Sequence, residues 1–93
     1  MNIFSFRAEC PYDALRFLTN ASEYAVENSL QLPGLINFKQ DMGYPDVSVE
    51  FTCGVSLDNL RAVGRDIEDC HVLVQTLRQV PLDKNDMSRD TTL

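Results

Sequence analysis

Val47-Ser48-Val49-Glu50-Phe51-Thr52-Cys53 is the most regular stretch of this chain. Successive side chains of a strand point to opposite faces. The alternation therefore sends Val47, Val49, Phe51 and Cys53 inward and Ser48, Glu50 and Thr52 outward, as in a strand buried on one side. Just upstream, Gly43-Tyr44-Pro45-Asp46 interrupts the pattern, and Leu35 to Asp41 supplies a partner strand. The two form a hairpin with a loop longer than the two-residue kind.

On either side of this hairpin the period changes. Upstream of the connection Asn28 to Gly34, Ala14, Phe17, Leu18, Ala21, Tyr24 and Ala25 recur at helical spacing. Pro11 fixes the backbone angle of a first helical turn and Asp13 suits its positive end, so a helix is expected from Pro11 to Val26. Before it, Ile3 to Ala8 alternates, with Phe4, Phe6 and Ala8 on one face and Ile3, Ser5 and Arg7 on the other. Downstream, Ser56 is a good N-cap, and Leu57, Leu60, Val63, Gly64 and Ile67 make the apolar stripe of a second helix. Gly64 costs about 1 kcal/mol relative to Ala in a helix, which implies close packing there. His71 to Leu77 reads as a last strand, stopped by Pro81. Asp83 to Leu93 is polar and aperiodic and reads as a flexible tail.

The order β-α-β-β-α-β defines one α+β domain over residues 1–82. Right-handed crossovers lead it to the ferredoxin-like sandwich, a four-stranded antiparallel sheet with two helices on one face. The first and third strands are expected side by side at the centre and parallel. This fold hosts many activities, so it does not itself name one.

Charge excludes more than it assigns. Fourteen acids against eight bases leave −6 on 93 residues, with no cluster of Lys and Arg. Such a field repels phosphate backbones, so no direct nucleic-acid binding is expected, while a basic protein partner would be attracted. RNA-recognition domains share the element order, but the third strand here lacks their basic and aromatic pattern. No run is long enough to span a membrane, and residues 1–7 lack the basic start and apolar stretch of a signal peptide. The expectation is a cytoplasmic chain without membrane contact.

Several residues bear on chemistry. Cys10, between a strand and a helix, is a candidate reactive thiol. Cys53, at the corresponding place after the third strand, would join it at one end of the sheet if the two strands were parallel. Metal-transporting domains of ferredoxin-like fold carry two cysteines in the first strand–helix loop. Here there is only Cys10, followed by Pro11, so no metal and no cofactor are expected. His71 follows Cys70 directly, and neighbours in a strand face opposite ways, so they do not make a nucleophile and base. Asp66, Glu68 and Asp69 form an acidic run, and none of the four glycines lies in a phosphate-binding loop.

What remains is the sheet face that the helices leave uncovered. Ile3, Leu73 and Leu77 are expected there as an apolar patch rimmed by polar groups, the composition of a protein-binding surface. The reading is a non-catalytic interaction module that pairs with a second copy of itself as a homodimer. Two alternatives are a small acidic decoy for a nucleic-acid-binding machine, of the kind mobile elements encode, and a thiol-dependent enzyme or redox protein using Cys10.

Overall fold

A computed structural model describes residues 2–68 and 76–81. Six elements follow in the order expected: β1 (Asn2–Ala8), α1 (Pro11–Glu27), β2 (Gly34–Gln40), β3 (Val47–Cys53), α2 (Leu57–Arg65) and β4 (Arg78–Val80). The strands form one sheet in the order β2-β3-β1-β4, with every neighbouring pair antiparallel. The architecture is α+β: a four-stranded antiparallel sheet and two helices.

Alternation in β1 and β3 builds the core. Phe4, Phe6 and Ala8 from β1 are buried with Val47, Val49, Phe51 and Cys53 from β3. Phe51 lies at the centre, its ring 5.5 Å from Phe4 and 5.8 Å from Phe6, while Phe17 of α1 stands edge-on to Phe6 at 5.0 Å. Such pairs add about 0.5–1.5 kcal/mol each beyond the apolar area they bury. Helix α1 presents Ala14, Phe17, Ala21 and Ala25 to this layer and packs over β1 and β3. Its small residues let the helix approach while Phe17 fills the space between helix and sheet.

Both helices start as their sequences require. Pro11 occupies the first turn of α1, where its missing N–H is no loss. Ser56 caps α2 by accepting a hydrogen bond from the Asn59 amide at 3.3 Å. Gly64 is buried in α2, which packs beside α1. Between α1 and β2, the chain passes close to the end of β3, and Gly54 donates its N–H to the Gln31 carbonyl at 3.0 Å. A β-carbon on Gly54 would lie 2.6 Å from the Gln31 nitrogen, so a glycine is needed there.

Three expectations are corrected. First, β1 and β3 are antiparallel, pairing Asn2 with Cys53 and Ala8 with Val47. The crossover through α1 makes β2 run with β1, and the hairpin then turns β3 back. Second, the last strand among the described residues is Arg78–Val80 rather than a strand ending at Leu77. It stops before Pro81, as expected. Third, Leu77 is only 4% exposed and belongs to the core, not to the uncovered face. Gln79 pairs with Phe4, so Leu77, two residues earlier, takes the Phe4 and Phe6 side of the sheet. Leu73, Cys70, His71 and the tail at 83–93 lie outside the described residues.

Candidate functional site

The face of the sheet opposite the helices is set by register. Ser5 of β1 stands between Glu50 of β3 and Arg78 of β4, and Glu50 in turn pairs with Asn37 of β2. One row therefore reads Asn37, Glu50, Ser5, Arg78 across four strands. A second row reads Lys39, Ser48, Arg7. A third carries Thr52, Ile3 and Val80. Ile3 is thus on the face where the sequence placed it, with Val80 rather than Leu77 beside it.

This surface is polar at its centre and apolar at one end. Ser5, Arg7, Ser48, Glu50, Thr76 and Arg78 help to line a groove of about 640 Å³ on it. Arg7 is neutralised by an ion pair with Asp46 in the β2–β3 loop. The Thr76 hydroxyl accepts a hydrogen bond from the Arg7 amide, extending the β1–β4 edge. Arg78 donates from Nε to the Ser5 hydroxyl at 3.3 Å. Among the described residues, no ion pair engages Lys39, Glu50 or Arg78. The face therefore offers one carboxylate and two cations, held in fixed register, to whatever approaches it.

Sequence reasoning placed Ser5, Arg7, Ser48, Glu50 and Thr52 outward, and the structure agrees. It missed Arg78, Val80, Asn37 and Lys39. Arg78 and Val80 were missed because the strand they belong to starts later than its apolar run implies. Asn37 and Lys39 face outward because β2 shifts register between Leu35 and Asn37, where Ile36 is the extra residue. The Leu35-Ile36 pair breaks strict alternation and was the available signal for that bulge.

The helix layer stops short of β2. Leu35 faces the helix side beside Phe51, yet it is 58% exposed. Ile36 of β2 and Leu32 and Leu30 of the preceding connection are also exposed, so the β2 edge carries a run of solvent-facing apolar residues.

The two candidate thiols are not brought together. Because β1 and β3 are antiparallel, Cys53 lies at the Asn2 end of β1 and Cys10 follows Ala8 at the other end. The expected pairing of Cys10 with Cys53 is therefore corrected. Cys53 is buried, and burial raises its thiol above the ordinary value near 9.0, although amide hydrogen bonds from Val55 and Gly54 oppose the shift. Its Sγ donates to the Gln31 carbonyl at 3.7 Å and accepts from the Val55 amide at 3.4 Å. A thiol held neutral in this way is a poor nucleophile. Cys10 is partly exposed.

Among the described residues, no three His, Cys, Asp or Glu side chains are grouped as metal ligands. Among the same residues, no helix is long and apolar enough to cross a membrane. Comparison of the chain with protein families, with curated proteins and with solved structures finds no match, so its reading rests on the sheet face itself.

Proposed function

We propose that this chain is a cytoplasmic, non-catalytic protein-interaction domain of ferredoxin-like type, which uses the open face of its sheet and associates with a second copy of itself. The strand order β2-β3-β1-β4 and its uniformly antiparallel neighbours support the ferredoxin-like arrangement. The observation that carries the functional reading is the uncovered face, where Lys39, Glu50 and Arg78 form no ion pair with any described residue. Ile3 and Val80 add a half-buried apolar margin. Polar groups held ready around an apolar margin suit recognition of another protein surface.

Analytical ultracentrifugation over a concentration series tests it. A reversible dimer is expected, and replacing Ser48 with Trp in the middle of the face should weaken it without lowering the melting temperature. A protein that stays monomeric at every concentration would sink the self-association.

A second reading is favoured by the charge on the helix side. Residues 9–33 and 54–68 hold seven acids and three bases. A surface of that sign suits a basic partner, such as the groove of a nucleic-acid-binding protein, and would act there as a decoy. Salt-sensitive binding to such a protein, in competition with DNA, distinguishes this reading from the first.

A further inference from the structure

We infer that two copies meet sheet to sheet about a two-fold axis running along β1, so that Glu50 of each copy faces Arg78 of the other. The inference rests on the proposed self-association and adds its geometry. Glu50 and Arg78 both pair with Ser5, one from β3 and one from β4. Adjacent strands are spaced by about 4.8 Å, so the two charges stand at equal distances on either side of β1. A two-fold axis along β1, lying in the plane between two stacked sheets, carries β3 of one copy over β4 of the other. The carboxylate then meets the guanidinium twice, once on each side of the axis.

Other positions agree with this axis. Ile3 falls on Ile3 of the second copy, and Thr52 and Val80 lie over one another at the same end. Ser48 lies over Thr76, two hydroxyls that can exchange a hydrogen bond. Arg7 meets its own copy on the axis, but each Arg7 is already neutralised by Asp46. Lys39 lies on β2, beyond the β4 edge of the second copy.

Electrostatics favours contact through the sheets over contact through the helices. The whole chain carries −6, and two such chains repel. The described sheet and its hairpin hold three acids and three bases, whereas the helices and their connections hold seven and three. Joining copies through their sheets brings neutral layers together and turns the acidic layers outward.

The test is a charge reversal measured by analytical ultracentrifugation, with circular dichroism to verify folding. Glu50→Arg and Arg78→Glu are each expected to weaken the wild-type dimer by more than about a hundredfold, because each places like charges opposite one another twice. Mixing the two single variants should restore a dimer, since Arg at 50 then faces Glu at 78 and the native Arg78 faces the native Glu50. The double variant should also dimerise. Restoration on mixing excludes an effect confined to one chain. A wild-type dimer that both reversals leave intact would overturn this axis while keeping self-association, and loss of that dimer in Ile36→Pro would then place the contact at the β2 edge. Two monomeric variants that fail to associate on mixing would also overturn it. A wild-type monomer at all concentrations would overturn both the axis and the reading beneath it.

Discussion

Replacing Leu77 with Ala separates the core from the open face, because sequence and structure place this residue on opposite sides of the sheet. The side chain is 4% exposed and belongs to the same cluster as Phe4, Phe6 and Phe51. Its carbonyl also accepts a hydrogen bond from the Arg61 guanidinium at 3.3 Å, tying β4 to α2. Truncating a buried leucine costs about 2–5 kcal/mol, depending on how far the site collapses. Leu77 precedes a three-residue edge strand, which can relax more readily than a central one. The lower part of the range, about 2–3 kcal/mol, is therefore expected. For a domain of this size each kcal/mol lowers the melting temperature by about 4–8 °C, giving a loss of about 8–24 °C. Thermal unfolding followed by far-ultraviolet circular dichroism measures it, with Val80→Ala as the control on the opposite face. Leu77→Asp should fail to fold, since it buries an unpaired carboxylate. The reasoning is refuted if Leu77→Ala melts within a few degrees of wild type, or if Leu77→Asp gives a folded monomer.

Three further outcomes test local features. The Cys53 thiol is held above its ordinary value, so its contribution to stability is complete below about pH 9 and is lost as pH rises beyond it, because the unfolded chain releases that proton first. Urea midpoints measured across that range should fall more steeply for wild type than for Cys53→Val. Ser56→Ala removes the cap on the Asn59 amide and should cost about 0.5–2 kcal/mol in chemical denaturation. Gly54→Ala forces a β-carbon towards the Gln31 backbone and should cost about 1–3 kcal/mol, with the shift visible in amide spectra of the α1–β2 connection. An unchanged midpoint in either glycine or serine variant would show that the local contact does not bear on stability.

How much of this was legible depended on period. β3 is legible from Val47 to Cys53, every inward residue included, because strict alternation leaves only one assignment of faces. Helix α1 was legible for the same reason, with Pro11 marking its start. Residues 72–77 alternate less clearly, being apolar on both parities, and a one-residue slip exchanges the faces completely. The sequence therefore does not fix the side of Leu77, which the register of β4 places in the core. The direction of β3 relative to β1 is not a property of either strand's sequence. It follows from one crossover and one hairpin counted in succession, and the misplaced thiol pair came from that count. That Ser5 and Glu50 share the open face is readable in the alternation, but their place in one row, with Arg78 on the other side, needs the antiparallel register of β3 and β4.

The charge distribution carries the functional argument further than the total does. A net charge of −6 by itself argues against association of like chains, yet it says nothing of where the acids sit. In the described residues the sheet is balanced and the helices are not. A second copy and a basic partner, as proposed, would therefore call on different layers of the same domain and would not compete. Fields between exposed charges are largely screened beyond about 10 Å at 0.1 M salt. Two stacked sheets, themselves spaced by about 10 Å, hold the outer helix layers farther apart than that. In the proposed pair the repulsion between acidic layers would be screened, while Glu50 and Arg78 would meet at close range where screening is weak. A sheet-to-sheet pair would thus let an acidic chain join its own copy and still present acids to a basic surface.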